Sequence, residues 1–314
     1  MNIIFMGTPD FSIPALQSLD ENPEIKIKGV VTQPDRKRGR GQKVHFSPVK
    51  KEALARDLRV FQSDDVNRKS FLHTLRELKP EGIVVVAFGQ ILGRELLALP
   101  EYGCINLHAS LLPAYRGASP IHRAIIDGEE ITGVTTMYMN KNLDEGDIIY
   151  QKEVEITQED TAGTLHDKLA DIGADLLVKT LIDVENGTAP RTPQNHSEAI
   201  YTGRLDKEIG EIDWSKSARE IYNLVRGVTP WPGAYTFLQG KRLKLWKTDV
   251  IASETPPVDN EPGTVIRVSG EEGIVVQTGK GLLSIKELQP AGKNRMYTEE
   301  YLHGYKLKSG TRLG

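Results

Sequence analysis

Residues 83–87 have the sequence Ile83-Val84-Val85-Val86-Ala87, which is apolar at every position. A strand inside a parallel sheet is covered on both faces, so it lacks the alternation of polar and apolar side chains that marks a half-exposed strand. The stretch is also far too short to span a bilayer. It therefore predicts a buried strand over residues 83–88, within a sheet that has helices on both faces.

The same kind of pattern recurs on both sides of this strand. We predict further strands at 2–6, 25–31 and 104–107, and intervening helices at 13–19, 48–56, 67–78 and 121–127. Ser12 and Ser47 are residue types that favour helix N-caps, and Pro48 suits a first helical position. Alternation of strands and helices predicts an α/β fold, an open Rossmann-like doubly wound sheet.

The second half of the chain has a different pattern. Two strands, at 134–139 and 148–154, and a long helix, at 161–186, complete a predicted catalytic domain over 1–189. A polar, proline-containing linker follows at 190–206. The C-terminal domain, 207–314, opens with a helix at 218–226. It continues with five short strands, which predict a small β-barrel of the oligonucleotide-binding (OB-like) type: 234–238, 242–251, 263–268, 273–278 and 281–288.

Composition limits the class of protein. The 314 residues carry a formal net charge of -3, which argues against a general nucleic-acid coat protein but allows locally concentrated positive charge. The N-terminus lacks a basic segment typical of a signal peptide, and we expect a cytoplasmic protein without a membrane span. A single cysteine, Cys104, and seven histidines without paired spacing predict no metal site.

Polar side chains end the predicted strand at 104–107. In open α/β sheets, ligands bind at the carboxyl ends of the strands. Because side chains alternate along a strand, Asn106 and His108 share one face at that end. A structural polar pair is the simpler interpretation, since Asn-x-His alone is a weak catalytic signal. Cys104 lies deeper along the same face and is not expected to act as a nucleophile.

A second polar stretch, Asn142–Ile148, carries Asp144, Glu145 and Asp147. Such a stretch is typical of an acidic turn. If one carboxylate approaches His108, however, an asparagine, a histidine and an aspartate combine oxyanion donation, proton transfer and histidine orientation. The turn Gly7–Phe11 lacks the glycine fingerprint and the lysine of nucleotide-binding loops, so we interpret it as a structural strand-to-helix turn.

Five motifs resemble the methionyl-tRNA formyltransferases, and the likeness extends over essentially the whole chain. They are GTPDF (Gly7–Phe11), QPDRKRGRGQK (Gln33–Lys43), NLHASLLP (Asn106–Pro113), YRGASP (Tyr115–Pro120) and LDEGDI (Leu143–Ile148). The resemblance implies a catalytic triad of Asn106, His108 and Asp144, with 10-formyltetrahydrofolate as the formyl donor. It further implies that the folate pocket is lined by Ser110, Leu111, Leu112 and Pro113.

The acceptor is indicated by a basic segment, Gln33–Lys51. It has one acid, Asp35, against Arg36, Lys37, Arg38, Arg40, Lys43, Lys50 and Lys51. A solvated loop is the simpler interpretation, but phosphate contacts need such charge. The resemblance implies that this segment, Arg40 above all, reaches the acceptor stem of initiator methionyl-tRNA. In the C-terminal domain, Arg242, Lys244 and Lys247 are further predicted tRNA contacts, with an edge strand protected by lysines as the alternative.

Other functions stay open at this level. A sugar-amine formyltransferase or a formyl-folate hydrolase would share the triad, but a hydrolase has no use for the basic segment. A non-catalytic tRNA-binding module would not need the triad. A nucleotide-dependent oxidoreductase lacks its glycine fingerprint here. We expect a monomer that binds folate and initiator methionyl-tRNA and that does not associate with a membrane.

Overall fold

The computed structural model describes residues 1–38, 43–251 and 260–314. The chain forms two compact units. The first comprises Met1–Pro120, Ile131–Glu155 and His166–Thr202, and the second comprises Ile121–Glu130, Ile156–Leu165 and Gly203–Gly314. Each unit draws on more than one stretch of chain. The limits proposed above for a catalytic domain, a linker and a C-terminal domain stay a prediction.

The strands of the first unit, in chain order, are β1 (Asn2–Gly7), β2 (Lys26–Thr32), β3 (Arg36–Arg38), β4 (Lys43–His45), β5 (Val60–Gln62), β6 (Gly82–Val86), β7 (Cys104–His108), β8 (Arg116–Gly117), β9 (Ile131–Tyr138), β10 (Ile148–Glu155) and β11 (Tyr201–Thr202). The helices before residue 202 are α1 (Ile13–Glu21), α2 (Pro48–Ala55), α3 (Lys69–Glu77), α4 (Arg94–Leu97), α5 (Pro120–Asp127) and α6 (Ala162–Glu185). From Ile121 onward, α5 belongs to the second unit.

Seven of these strands form one sheet in the order β10-β9-β7-β6-β1-β2-β5. The chain builds outward from β1 to β2 and β5, and then in the other direction to β6 and β7, so the strand order reverses between β1 and β6. Pairing is parallel from β5 to β7, whereas β9 runs antiparallel to both β7 and β10. The predicted doubly wound sheet is confirmed, with a mixed edge that its sequence pattern did not reveal.

Side chains of β7 show how the sheet is covered. Cys104 packs in one apolar cluster with Leu72 and Leu75 of α3. Leu107 lies against Gly173 of α6, where an added Cβ would come within 2.8 Å of its side chain. Positions 104 and 107 point to opposite faces of a strand, so α3 and α6 cover opposite faces of the sheet. Residues 82–86 are fully buried between them, as their apolar sequence predicts.

The second unit contains β12 (Ala234–Leu238), β13 (Lys241–Ile251), β14 (Val265–Ser269), β15 (Gly273–Gln277), β16 (Leu282–Pro290), β17 (Met296–Tyr297), α7 (Ala218–Gly227) and α8 (Thr298–Gly304). The sheet order is β12-β13-β16-β15-β14, with β17 added to β16. The last residues connect the two edge strands, because Leu313 pairs with Leu238 of β12 while Arg312 pairs with Thr264 beside β14. The sheet therefore curls into a barrel-like form around an apolar core that includes Ile221 and Val225 of α7.

Two local predictions have different outcomes. Ser47 caps α2 as expected, because its Oγ atom accepts from the backbone N–H of Lys50 at 3.0 Å, and Pro48 is the first helical residue. Ser12 does not cap α1 with its side chain. Its hydroxyl is fully buried and donates to the Val86 carbonyl oxygen at 2.7 Å, so it ties α1 to the end of β6 instead.

Candidate active site

Strand β7 delivers Asn106 and His108 to the carboxyl end of the sheet, on the same face. Both side chains are buried, each with 8% of its surface exposed. Asn106 pairs in register with Val85 of β6 and Met137 of β9, and His108 with Thr135 of β9. Because neighbouring strands hold β7 on both sides, the two polar side chains lie on a rigid support rather than on a loop.

His108 contacts an acceptor through each ring nitrogen. Its Nε2 atom lies 3.0 Å from the carbonyl oxygen of Tyr115, which can only accept, so Nε2 carries a hydrogen and donates it. Its Nδ1 atom lies 3.8 Å from Oδ2 of Asp144. That distance exceeds a direct hydrogen bond, so the carboxylate acts on the ring through charge. The structure thus brings His108 and Asp144 together, 36 residues apart in sequence.

The loop between β9 and β10 holds Asp144 in an unusual backbone conformation. Asp144 has a φ of +52°, a region that costs a residue with a side chain free energy. Its Oδ2 atom accepts from the backbone N–H of Gly117 at 2.8 Å, which fixes the carboxylate. Gly146 has no room for a side chain, because an added Cβ would lie 1.6 Å from the carbonyl oxygen of Tyr138. The acidic turn is therefore a constrained structure that aims one carboxylate at His108.

A buried arginine beside this loop was not predicted from the sequence. Arg116 is 0% exposed. Its Nε and Nη2 atoms donate to Oε1 of Gln194 at 3.1 and 2.7 Å, and Nη1 donates to the Tyr201 hydroxyl at 2.9 Å. Gln194 and Tyr201 lie in the segment that composition alone indicated as a linker. A signal was present in the YRGASP motif, but nothing in the spacing paired it with residues about 80 positions away.

The predicted folate segment, Ser110–Pro113, is pinned through its backbone. The N–H of Leu112 donates to Oγ1 of Thr135 at 3.1 Å, and its carbonyl accepts from Nε2 of Gln151 at 2.8 Å. The Ser110 hydroxyl is used internally, since it donates to the Ala114 carbonyl at 2.6 Å. The side chains of Ser110 and Leu112 are buried, those of Leu111 and Pro113 half-buried, and the Leu112–Pro113 peptide is cis. A role in folate binding stays a prediction.

The turn after β1 contacts a neighbouring strand of the sheet, and its purely structural role stays a prediction. The Thr8 hydroxyl donates to the carbonyl oxygen of Phe88 at 2.9 Å, which joins the ends of β1 and β6. Cys104 is buried, and burial raises the pKa of its thiol to about 12, so the thiolate form needed for a nucleophile is disfavoured.

The basic segment contains β3 and β4, which pair with each other in antiparallel orientation. Arg36 is exposed. Arg40 lies outside the described residues, as do the side chains of Lys37, Arg38 and Lys43. Lys50, by contrast, is committed to the protein itself, because its Nζ atom donates to Asp35 at 2.6 Å and to Gln62 at 2.8 Å. These contacts lower the pKa of Asp35, chiefly through the hydrogen bond from Lys50.

Strand β13 presents a mixed cationic and aromatic face in the second unit. The guanidinium of Arg242 lies 3.9 Å from the centre of the Tyr235 ring, and that of Arg295 lies 4.9 Å from the Trp246 ring. Lys244 is half-buried near Trp246. The alternation of buried and exposed side chains along β13 breaks after Leu245, where the register shifts, so Lys247 is exposed although Leu243 and Leu245 are buried. Arg295 belongs to this face but is remote in sequence, and strand alternation alone did not indicate it.

No group of three or more histidine, cysteine, aspartate or glutamate side chains in residues 1–38, 43–251 and 260–314 is placed to hold a metal ion. Over the same residues, none of the helices combines the length and apolar character that crossing a membrane requires.

Comparison with known proteins identifies the family. The formyl transferase family model matches residues 1–181, and its C-terminal domain model matches residues 204–306. The chain is 57% identical to the methionyl-tRNA formyltransferase of Halothermothrix orenii over 316 residues and 50% identical to that of Clostridioides difficile over 315, each alignment covering 100% of both chains.

Solved structures share the fold at lower identity. An N-formyltransferase from Helicobacter canadensis, in complex with folinic acid and dTDP-3-aminofucose, is 20% identical with a TM-score of 0.65, covering 92% of this chain and 98% of that one. HypX from Aquifex aeolicus, in complex with tetrahydrofolic acid, is 17% identical with a TM-score of 0.60, covering 96% of this chain and 46% of that one. The full-length identities, rather than these, decide the assignment: the chain belongs to the methionyl-tRNA formyltransferase family.

Proposed function

We propose that this chain transfers the formyl group of 10-formyltetrahydrofolate to the α-amino group of initiator methionyl-tRNA. The observation that carries the proposal is the full-length identity of 47–57% to methionyl-tRNA formyltransferases. The placement of a histidine against a carboxylate at the carboxyl end of the sheet supports it, because that is where open α/β sheets bind ligands. Solved relatives in complex with tetrahydrofolic acid or folinic acid support a folate donor.

Transfer requires little activation of the nucleophile. The α-amino group of an aminoacyl ester titrates no higher than about pH 8, so a useful fraction of it is neutral at pH 7. The amine attacks the formyl carbon, a C–N bond forms, and the carbonyl oxygen becomes an oxyanion. Collapse of that intermediate breaks the bond to N10 of the folate, which takes up the proton released by the amine. The protein must therefore align two substrates and stabilise negative charge.

The proposed roles follow from chemistry and position. Asn106 donates its amide N–H to the oxyanion, and His108 stabilises the same charge. Asp144 orients the His108 ring and assists proton relay through it or through water. In the free protein the two groups are 3.8 Å apart, and such contacts often shorten when substrate binds. The Ser110–Pro113 segment, pinned by Thr135 and Gln151, forms the proposed wall of the folate pocket.

Recognition of tRNA is assigned to two basic surfaces. The first is the basic segment Gln33–Lys51, with Arg36, Lys37, Arg38, Arg40 and Lys43. The second is the β13 face with Arg242, Lys244 and Lys247, to which Trp246 and Arg295 add an aromatic ring and a further cation. Cations next to aromatic rings suit single-stranded nucleic acid, since cations contact phosphates and rings stack on bases.

The direct test supplies both substrates. The protein is incubated with 10-formyltetrahydrofolate labelled in the formyl group and with methionine-charged initiator or elongator tRNA, and acid-stable formylmethionine is counted. We expect product with initiator tRNA and far less with elongator tRNA. A sugar amine and water alone serve as the competing acceptors. Faster transfer to either of these than to methionyl-tRNA would refute the proposal.

A further inference from the structure

Arg116 is a fully buried cation that takes no place among the proposed catalytic groups. Burial of an unpaired charge is very costly, so a buried arginine must be satisfied by neighbouring groups. Here Nε and Nη2 both donate to the side-chain oxygen of Gln194, and Nη1 donates to the Tyr201 hydroxyl. The same Nη1 atom lies 3.3 Å from Oε1 of Glu145, next in sequence to Asp144.

Gln194 connects Arg116 to the loop that carries Asp144. Its oxygen faces Arg116, so its amide nitrogen points the other way. That nitrogen donates to the carbonyl oxygen of Asp144 at 2.9 Å and to that of Gly146 at 2.7 Å. The amide nitrogen of Gln194 therefore donates to both backbone carbonyls that flank Glu145. A side chain used in this way fixes the path of the loop and the orientation of the guanidinium at once.

A second branch reaches the same loop through its side chains. The Tyr201 hydroxyl accepts from Arg116 and donates to Oε1 of Glu145 at 2.7 Å. This hydrogen bond is the main cause that lowers the pKa of Glu145, which stays ionised opposite the guanidinium. Arg116 also precedes Gly117, whose N–H donates to the Asp144 carboxylate. Arg116 is thus connected to the loop in three ways: through Gln194 to its backbone carbonyls, through Tyr201 to the side chain of Glu145, and through the adjacent Gly117 to the carboxylate of Asp144.

We propose that Arg116 and Gln194 are positioning residues for Asp144: they hold its loop in the conformation that aims the carboxylate at His108. The proposal rests on the role given above to Asp144 in formyl transfer. The loop needs such support because Asp144 is in a left-handed backbone conformation, which persists only where the surroundings enforce it. A carboxylate displaced by about 1 Å can cost on the order of a hundredfold in rate.

Gln194→Glu is the most informative variant. A glutamate keeps the size of the side chain and the acceptor for Arg116, but it loses both N–H donors to the loop carbonyls. We expect Tm to stay within a few degrees of the wild type and KM for folate and for tRNA to stay within about twofold. We expect kcat to fall roughly tenfold to a hundredfold, because the chemical step alone depends on where Asp144 lies. Amide hydrogen exchange across 142–147 should become faster.

Gln158→Glu is the matched control. Gln158 also accepts from an arginine, Arg219, at 2.5 Å, and it is exposed. The same substitution there should leave kcat and the exchange of residues 142–147 unchanged. Arg116→Lys is the second test variant, since a single ammonium cannot contact Gln194 and Tyr201 as a guanidinium fork does. It should lower kcat in the same manner with KM retained.

Three outcomes would overturn the positioning role. They are an unchanged kcat in Gln194→Glu, unchanged exchange of the loop, and a KM that rises as much as kcat falls. The exchange measurement uses no substrate, so it separates this inference from the proposed function. A wild-type protein that formylates no methionyl-tRNA would refute the function, while faster loop exchange in Gln194→Glu would still support the positioning contact.

Discussion

The Oδ2 atom of Asp144 lies 3.8 Å from Nδ1 of His108, and it simultaneously accepts a hydrogen bond from the backbone N–H of Gly117. The carboxylate is therefore fixed from one side and free to act on the imidazole from the other. The contact that holds the carboxylate, from Gly117, is therefore different from the contact through which it acts, to His108. This arrangement leads to predictions about the group itself, about its support and about the surfaces that bind substrate.

Replacing the carboxylate of Asp144 should lower the rate of formyl transfer without affecting substrate binding or stability. Asp144→Asn keeps the shape of the side chain but loses the charge that acts on His108. We expect kcat to fall by about a hundredfold or more, with KM for both substrates and Tm nearly unchanged. Asp147→Asn is the control, because that carboxylate is 41% exposed and pairs with Arg191. Steady-state kinetics on both variants decides the matter, and equal losses in the two would contradict the assignment.

Gly117 should be intolerant of a side chain for steric reasons. Its φ is +102°, and an added Cβ would lie 2.3 Å from the carbonyl oxygen of Thr202 in the paired strand β11. Gly187 has a φ of +71° with nothing within 4 Å of an added Cβ, so Gly187→Ala measures backbone strain alone. In urea unfolding we expect Gly187→Ala to lose about 1 kcal/mol. Gly117→Ala should lose clearly more. Equal losses of unfolding free energy in the two variants would mean that the backbone at Thr202 moves away from the added methyl group at little cost.

Asp35 should stabilise the base of the basic segment in a pH-dependent manner. It accepts from Lys50 and Gln62, and these contacts lower its pKa below the ordinary value of about 3.9. A carboxyl group whose pKa is lowered by folding stabilises the fold fully at pH values above its ordinary pKa. This stabilisation is lost as the pH falls through the pKa of the folded state. Asp35→Asn should thus reduce unfolding free energy at pH 7 by about 1 kcal/mol.

The difference between wild type and Asp35→Asn should disappear in acid. Thermal unfolding followed between pH 7 and pH 2.5 measures it. Asp64→Asn supplies the comparison, because Asp64 pairs with Arg68 where both side chains are mostly exposed, at 74% and 59%. Exposed pairs contribute little, so this variant should match the wild type throughout. A gap for Asp35→Asn that stayed constant down to the lowest pH would exclude the ionised carboxylate as its source.

Arg242 should contribute to tRNA affinity through charge. Arg242→Ala removes a cation stacked on Tyr235, so KM for tRNA should rise while KM for folate stays constant. If it contacts one phosphate, the slope of log affinity against log salt should become less steep by about one. Arg267→Ala is the matched control, since Arg267, on β14, is paired with Glu272 in the turn that follows that strand. Identical salt slopes for wild type and Arg242→Ala would place tRNA elsewhere.

Sequence pattern predicted the parts of the fold that repeat and missed those that depend on distant partners. The buried run at 83–87 and its neighbouring helices have local periodicities that are typical of an α/β sheet, so β1, β2, β6 and β7 were predicted within two residues. The direction of β9 was not predictable, because antiparallel and parallel strands share one side-chain alternation. The two-residue strands β8 and β11 exist only because Arg116 pairs with Tyr201 across 85 positions.

The site shows the same division. Asn106 and His108 could be placed on one face because a strand has period two, but the sequence pattern did not show that β6 and β9 flank their strand. The approach of Asp144 came from the resemblance to a known family, since spacing alone permits an ordinary acidic turn. Gln194 was hidden in a stretch whose composition is typical of a linker. Its role depends on two backbone carbonyls 48 and 50 positions away, which no local pattern encodes.

The central claim is that Asn106, His108 and Asp144 act together on one formyl carbon. The most direct measurement is the single-turnover rate of formylmethionyl-tRNA formation by Asn106→Ala beside the wild type, with folate and tRNA binding measured separately. We predict unchanged binding of both substrates and a rate lower by roughly a hundredfold or more, because an oxyanion donor is lost. A rate close to that of the wild type, with substrates bound normally, would contradict the claim.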